Sequence, residues 1–313
     1  MTKPIEDKLA NIPVVNLLVK FFKTLKLPGL EGLSVYDLLE LYITGIIKGA
    51  LTSRASAIAF NFFMAIFPFL LFILILIPHI PIAGFKAEFL DFLESFLPPT
   101  TSEFFFKNIF ENIDSTERGG LLSTVFLLSI FLMANGVSAV FSAFESSYHF
   151  ELSRSILRQY LYALGVALIL AFLVVISVAG FGFVEIYILG SLFETLTQQG
   201  VEIGNSSIIW VNISKYVFGI VMIYLSTATL YYFGTREGKH SRFLSAGALF
   251  TTMLIVSVSY LFGVYIEEFS QYNELYGSIG ALLILMFYLW LNSNIILLGY
   301  ELNISLRQLR KNN

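Results

Sequence analysis

Apolar residues in this chain are concentrated in six long runs, which lie near residues 55–79, 121–147, 161–189, 207–233, 243–264 and 276–302. A helix that crosses the hydrocarbon core of a bilayer needs roughly 20 predominantly apolar residues, and each run is long enough. The third run is the clearest, because an unbroken apolar stretch, "LGVALILAFLVVISVAGFGFV", forms its centre. The fourth is the weakest, since Asn212 and Lys215 interrupt it. The pattern predicts six transmembrane helices.

The composition supports an all-α integral membrane protein. The chain is 57% hydrophobic and 13% charged, whereas soluble domains average about 25% charged residues. A large soluble protein with buried helices is the alternative, but it does not account for the placement of the charges between the runs. The chain has no cysteine, which excludes disulfides and thiolate chemistry. Its three histidines, His79, His149 and His240, lie far apart in the sequence.

The basic residues predict the orientation of the chain. If the N-terminus is cytoplasmic, 15 of the 19 lysines and arginines fall in the cytoplasmic segments 1–54, 148–160, 234–242 and 303–313. Cytoplasmic loops carry an excess of Lys and Arg, so both termini are expected in the cytoplasm. The polar, acidic start of the chain does not resemble a cleavable signal peptide.

The predicted domain organisation has three parts. Residues 1–50 form cytoplasmic amphipathic helices, residues 51–304 form the membrane domain, and residues 305–313 form a cytoplasmic tail. Within the first part, 13–27 has one apolar face with lysines elsewhere, which is typical of a helix in the membrane interface or of one packed on the membrane domain. The outer loop 80–120 repeats phenylalanine at helical spacing, which predicts two short amphipathic helices that cap the bundle or form a substrate-binding lid.

Two stretches resemble a known family. They are "RASAIAFNFFMAIFPFLLFIL" (Arg54–Leu74) and "YGSIGALLILMFYLWLNSNIILLGYELN" (Tyr276–Asn303), and they are similar to the YihY family of membrane proteins, which includes the virulence factor BrkB. Ser245–Phe269 resembles the fifth span of that family. Asn135–Ser155 also resembles the family, but more loosely. The resemblance covers roughly residues 45–305. It implies a six-helix, multi-pass protein of the bacterial cytoplasmic (inner) membrane and supplies no established activity.

The family long carried the name ribonuclease BN, now regarded as a misassignment, and transport roles have been proposed for some members. The residues of this chain also argue against a nuclease. A zinc-dependent nuclease needs clustered His and Asp ligands, and the chain has no His-x-His-x-Asp-His run. The dense basic run "GTREGKHSR" (Gly234–Arg242) is explained as a topology signal. We therefore expect no enzymatic activity, no metal, no cofactor and no nucleic-acid partner.

Polar residues inside the spans are candidate functional residues, because they are costly in a bilayer. The substrate or cavity candidates are Asn61, Lys215, Glu185 and Asn292. Glu185 and Lys215 are expected at similar depths, so they either form an ion pair or reach the outer interface separately. Pro68 is expected to kink the first span. Packing is the alternative explanation for each of these residues.

Three charged residues are predicted to meet at the cytoplasmic end. Arg54 and Glu301 fall at the cytoplasmic ends of the first and sixth spans, and we expect them to pair. Glu145, near the cytoplasmic end of the second span, is a third candidate member. The expected role of this group is structural or that of a gate.

The two asparagines of the sixth span are predicted to differ in role. Asn292 and Asn294 are two residues apart, so they point about 200° away from each other around the helix. Asn292 shares a face with Tyr288, Ile295 and Gly299, which we expect to face the bundle interior. Asn294 is expected to serve packing.

The polar residues within the spans and the proline of the first span favour a transporter or flippase-like protein, and the family resemblance implies a lipid, an amphiphile or another envelope-related solute as its substrate. The chain has no Walker A motif, so it is not expected to supply its own ATPase. The alternative is a membrane scaffold or envelope regulator that acts through partner proteins. Membrane lipids are the expected partners, and a homo-oligomer or a protein partner stays open.

Overall fold

The structure of the chain is a computed structural model. It describes residues 50–76, 119–145, 155–183, 205–234, 242–269 and 278–312, together with 21, 22, 24, 34 and 36. The predicted interfacial segment 13–27 and outer loop 80–120 lie almost entirely outside these residues. So does Glu185.

Six long helices make up the described part of the chain: α1 (Ala50–Leu76), α2 (Gly119–Glu145), α3 (Ile156–Phe183), α4 (Asn205–Gly234), α5 (Ala246–Phe269) and α6 (Ser278–Asn312). Each is long and apolar enough to cross a membrane. The fourth run, which is the weakest by composition, forms a helix of 30 residues. The prediction of an all-α fold with six membrane-spanning helices is confirmed. The cytoplasmic location of the termini stays a prediction.

Two helix ends differ from the predicted spans. Helix α1 begins at Ala50, so Arg54 lies inside the helix and not ahead of it. Helix α6 continues to Asn312, ten residues beyond the predicted end at 302, and most of the expected tail is therefore helical. The extension is stabilised by packing, because Ile304 and Leu306 are each only 5% exposed.

The six helices close into a ring. Each helix packs against its neighbours in the chain, and α6 packs back against α1. Helix α2 also reaches across the ring to α4 and α6. This position explains why α2 has the largest buried share of the six apolar spans.

Successive helices run in opposite directions, so one end of the ring collects the starts of α1, α3 and α5, the ends of α2 and α4, and the C-terminal third of α6. Three contacts between helices define it: Arg54 with Glu301, Gln159 with Ser142, and Gly247 with Asn303. We call this end the basic end, because the segments that adjoin it carry 15 of the 19 lysines and arginines.

Packing is tight at the basic end and loosens away from it on one side of the ring. In α4, buried residues begin only at Thr227, and none of residues 213–226 is buried. In α5, buried residues stop at Thr252, and none of 253–265 is buried. In α6, none of 282–292 is buried, although Gly280 beyond them is.

Helices α1 to α3 stay buried over a greater length. Leu70 of α1, Ser129 of α2 and Ala171 of α3 are all buried, and each lies four or more helical turns from the basic end. The described bundle is therefore closed at its basic end and looser in the other half of α4, α5 and α6.

Candidate functional site at the basic end

An ion pair joins the first and last helices of the bundle. The Nη2 atom of Arg54 lies 3.3 Å from Oε1 of Glu301, and the two side chains are 13% and 9% exposed. The Nη1 atom of Arg54 donates to the backbone carbonyl of Ala143 at 2.8 Å, so the same guanidinium also holds the end of α2. The structure thus brings together the two charges that the sequence predicted to pair.

The burial of the Arg54–Glu301 pair determines how much each partner depends on the other for its stability. Two charges withdrawn from water are stable only when they satisfy each other, and removal of one partner leaves an uncompensated buried charge. One guanidinium nitrogen of Arg54 donates to the carboxylate of Glu301, and another donates to the carbonyl of Ala143. The pair therefore holds α1, α2 and α6 together only while all three helices keep this arrangement.

Three aromatic rings from α2, α4 and α6 pack together at the basic end. Two of them, Phe144 and Tyr300, adjoin Ala143 and Glu301 in the sequence. Phe144 of α2 is fully buried and stacks on Tyr300 of α6, with ring centroids 4.0 Å apart. Phe144 also meets the edge of Tyr231 of α4 at 5.7 Å. Gly234 lies against Phe144 so closely that a Cβ atom there would come within 2.6 Å of its ring. The three rings close the ring of helices across its middle.

Buried hydrogen bonds join α4 to α5 and α6. The hydroxyl of Tyr231 donates to the carbonyl of Ile296 at 2.7 Å and shares a hydrogen bond with Thr251. One turn away, the hydroxyls of Thr227 and Thr252 are 3.3 Å apart. In a bilayer such hydrogen bonds stabilise a protein by about 0.6 kcal/mol each on average. Because this contribution is small, we attribute to them mainly a role in fixing the register of the three helices.

Helices α5 and α6 approach each other at two glycines. A Cβ atom on Gly299 would overlap the hydroxyl of Thr251, and one on Gly247 would overlap the carbonyl of Gly299. Asn303, one turn further on, accepts from the backbone N–H of Gly247 at 2.8 Å and donates to Ser245 Oγ at 2.9 Å. A side chain of α6 therefore caps the start of α5, where helix N–H groups have no partner of their own.

Glu145 is placed at the same end, in contact with α3. When the Gln159 amide is oriented so that both of its ends are satisfied, its Nε2 donates to Glu145 at 3.3 Å and its oxygen accepts from Ser142 at 2.9 Å. Gln159 is 9% exposed. The predicted third charged residue therefore helps to join α2 to α3.

Two candidates of the first span are placed by the structure. The side-chain amide of Asn61 donates to the carbonyl of Ala57 at 2.8 Å, which is a bond within its own helix. Pro68 lies inside α1, which continues past it to Leu76. Neither residue lies in the basic-end cluster.

The remaining substrate candidates lie in the looser half. Lys215 is half-buried in α4. Its predicted partner Glu185 is outside the described residues, so the ion pair between them stays a prediction.

Asn292 donates from Nδ2 to the carbonyl of Tyr288 at 2.9 Å. Its Oδ1 atom is buried and has no hydrogen-bond partner within the described part of the chain.

Asn294 is 8% exposed and donates to the carbonyl of Trp290. It lies on a different face from Asn292, among tightly packed residues. The structure therefore separates the two asparagines as the helix geometry requires.

The sequence did not point to Phe144, Tyr231, Thr251 or Asn303 as members of this site. One signal was available for Tyr231, since a tyrosine within an apolar run needs a partner for its hydroxyl. The identity of that partner depends on helix pairing, which the pattern of one chain does not specify. Among the described residues, no group of His, Asp or Glu could hold a metal ion.

Comparison with known proteins gives the family. The sequence profile of the virulence factor BrkB family matches residues 43–313. This chain belongs to the BrkB family. A curated relative, named as a ribonuclease-like protein, YfkH, of Bacillus subtilis (strain 168), is 29% identical over 261 residues, which cover 83% of this chain and 91% of the relative. No solved structure shows significant similarity to the chain.

The family match confirms the resemblance and agrees with the six apolar helices. The chain is therefore a multi-pass membrane protein of the BrkB family. The matched region includes all six helices and both partners of the Arg54–Glu301 pair.

Proposed function

We propose that this BrkB-family protein moves a lipid, an amphiphile or another envelope-related solute across the bacterial inner membrane, without an ATPase of its own and without catalysing a chemical reaction. The single observation that carries the proposal is the unequal packing of the bundle. The basic end is closed by an ion pair and stacked rings, whereas the other half of α4, α5 and α6 has almost no buried residues.

This packing suits one state of an alternating-access cycle. A protein that moves a solute must close one side of its pathway while the other side is accessible. Phe144, Tyr231 and Tyr300 block the centre of the ring at the basic end. Since the basic end is expected to face the cytoplasm, this state would be closed to the cytoplasm.

The Arg54–Glu301 pair is proposed as the latch of that closed end. It is the described ion pair that joins α1 to α6, and α6 belongs to the side of the ring that loosens. A latch has to be breakable, and a separation of α1 from α6 would draw the carboxylate of Glu301 away from the guanidinium of Arg54. Release would allow the basic end to part and the opposite half to close.

The substrate is proposed to be amphiphilic on the basis of the surfaces in the looser half. Residues 253–265 of α5 and 278–292 of α6 contain no charged residue, yet they contain Ser259, Tyr288 and Asn292. Phe262 of α5 packs against the ring of Tyr288, with ring centroids 5.0 Å apart. An acyl chain and a hydrogen-bonding headgroup would both find partners there.

Lipid movement in proteoliposomes tests the proposal. The full chain would be reconstituted into phosphatidylcholine vesicles that contain trace amounts of a lipid with a fluorescent nitrobenzoxadiazole (NBD) label, and external dithionite would bleach the label. NBD-phosphatidylethanolamine, NBD-phosphatidylcholine and NBD-glucosylceramide would be tried in parallel. We expect at least one probe to be bleached beyond its outer-leaflet fraction, and glycerol entry would be followed in the same vesicles by light scattering.

Two variants serve as matched controls. Glu301→Gln removes the charge of the latch and should change the rate of the transported probe, whereas Arg158→Met removes an exposed arginine at the same end of the bundle and should not. If neither the lipids nor glycerol cross faster than in protein-free vesicles, the transport proposal is contradicted.

A further inference from the structure

The seam between α5 and α6 contains a buried polar atom that the fold does not satisfy. Asn292 Oδ1 is inaccessible to solvent and has no hydrogen-bond partner within the described residues. One N–H of the same side-chain amide donates to the carbonyl of Tyr288. The side chain therefore keeps an unused acceptor, and its amide nitrogen carries a second hydrogen that can also donate to a group in the seam. Buried polar groups in proteins nearly always have partners, so the Oδ1 atom calls for an explanation.

Asn292 stands at the boundary between the two kinds of packing. The next residue, Ser293, is fully buried and is the first of the continuous buried stretch of α6. The residues before it, 282–292, are half-buried or exposed. Asn292 thus lies at the floor of the looser half, directly above the closed basic end.

A pair of hydrogen-bonded hydroxyl groups lies one helical turn further from the basic end than Asn292. The hydroxyls of Ser259 on α5 and Tyr288 on α6 are 2.6 Å apart. When two hydroxyls bond to each other, one proton is left to donate, and lone pairs on both oxygens are left to accept. Tyr288 and Asn292 are four residues apart, so their side chains lie on the same face of α6.

The surroundings of these groups are aromatic and uncharged. Phe262 of α5 packs on Tyr288 and on Phe287 of α6, with ring centroids 5.0 and 6.2 Å apart. No Asp, Glu, Lys, Arg or His occurs in residues 253–265 or 278–300, the stretches of α5 and α6 that form the seam. A phosphate or carboxylate would find no positive partner in this seam, and an ammonium would find no negative one.

We propose that Asn292, Tyr288 and Ser259 form a binding site for an uncharged, hydroxyl-bearing group, such as a sugar or polyol headgroup. On entry the ligand parts α5 from α6 at the seam, and one of its hydroxyls donates to Asn292 Oδ1 and satisfies the buried acceptor. Further ligand hydroxyls exchange hydrogen bonds with the Ser259–Tyr288 pair, and neighbouring rings cover the apolar faces of the group. This inference rests on the proposed transport function and names the chemical class of the substrate.

Thermal unfolding in nanodiscs provides the test, because sugar-based detergents would compete for the site. The full chain would be placed in phosphatidylcholine nanodiscs, and its unfolding temperature would be measured with added glucosylceramide, with added phosphatidic acid, or with free glycerol or glucose in the buffer. We expect glucosylceramide or the free polyol to raise the unfolding temperature and phosphatidic acid to have no effect. The lipid and the free polyol arms distinguish a glycolipid from a soluble substrate.

Asn292→Leu and Asn294→Leu form a matched pair of variants. Each removes an amide that bonds to its own helix, but only Asn292→Leu removes the unsatisfied acceptor. We expect Asn292→Leu to unfold at a higher temperature than the wild type in the absence of ligand, since it removes a buried polar atom without a partner. We also expect it to bind the ligand about tenfold more weakly, while Asn294→Leu responds to the ligand like the wild type.

The outcomes separate this inference from the transport proposal. If no hydroxylated probe raises the unfolding temperature of the wild type, or if Asn292→Leu responds to it as the wild type does, the binding site is refuted. If a probe binds through Asn292 but does not cross proteoliposomes, the site stands and the transport proposal fails. If a probe crosses at a rate that Asn292→Leu leaves unchanged, transport stands and this site is wrong.

Discussion

At the scale of single residues, the Arg54–Glu301 pair gives the most direct link between sequence and structure. Each charge stands at the end of an apolar run, where it needs either water or a partner. In the structure both side chains are largely buried, and each finds the other at 3.3 Å. Arg54 and Glu301 are 247 positions apart in the chain, so the pair helps to close the ring of helices.

Loss of one member of this pair should destabilise the protein, and loss of both should cost less. Glu301→Leu leaves the Arg54 guanidinium buried without its carboxylate, and the expected cost is roughly 3–5 kcal/mol. The double variant Arg54→Met with Glu301→Leu removes the uncompensated charge and should recover most of that loss. The free energy of unfolding would be measured by titration with sodium dodecyl sulfate. Additive effects of the two substitutions would contradict a direct pair.

Gly299 is expected to be intolerant of any side chain. Gly299→Ala places a methyl group onto the hydroxyl of Thr251 and close to the hydroxyl of Tyr231, so α5 and α6 must separate. We expect a clear fall in the unfolding temperature. Gly263→Ala is the matched control on α5, because nothing lies within 4 Å of its added methyl group. That substitution should be neutral or stabilising, since alanine favours a helix by about 1 kcal/mol over glycine. Equal behaviour of the two variants would refute the close contact at Gly299.

At the residue level, the sequence was informative where it places a charged side chain whose burial would cost free energy. A charge at the end of an apolar run needs a partner, which pointed to Arg54 and Glu301. The bond from Tyr231 to Ile296 depends on which helices are adjacent and at what register. Hydrophobic runs of similar length leave that choice open, so this part of the site emerged only from the structure.

At the scale of helices, the apolar runs predicted the number and the approximate position of all six elements. The ends of the helices were less well predicted. A helix can continue beyond its apolar run as an amphipathic segment, and a search for long apolar runs does not detect such a segment. Helix α6 shows this most clearly, since Leu302 and Leu306 pack against Ala246 and Phe250 of α5 beyond the apolar core of the run. Arg307 and Arg310 mask that extension in a hydropathy profile.

The extension of α6 has a structural use, which is to cap α5. Asn303→Leu should remove the bond to the N–H of Gly247 and the bond to Ser245, at a cost of about 1 kcal/mol. Ser245 also caps its own helix through the N–H of Ala248. The effects of Asn303→Leu and Ser245→Ala on the free energy of unfolding should therefore be non-additive. Strict additivity would mean that the two side chains act independently.

At the scale of the whole molecule, the bundle combines one closed end with one looser half. Helices α1 and α2 pack over most of their described length, whereas α4, α5 and α6 converge near the basic end. This unequal packing carries the proposed function, and neither composition nor hydropathy revealed it. Lipid-facing and pathway-facing residues are both apolar in a membrane protein, so their distinction requires the arrangement of helices.

The absence of cysteine makes this arrangement directly measurable, since a single introduced cysteine is the only thiol in the chain. Ser259 and Thr251 lie on the same helix, α5, two turns apart and on opposite sides of the boundary in packing. Ser259→Cys tests the looser half, and Thr251→Cys tests the closed end. Thr251 is fully buried.

The decisive measurement is the rate at which a membrane-impermeant maleimide, added from one side at a time to oriented proteoliposomes, labels these two cysteines. The account predicts that Ser259→Cys is labelled from the side opposite the basic end, whereas Thr251→Cys is labelled from neither side. It also predicts that Glu301→Gln, which weakens the latch, makes Thr251→Cys reactive from the basic end. If Thr251→Cys reacts while the pair is intact, or if Glu301→Gln leaves it unreactive, the basic end is not the latched gate of a transport protein.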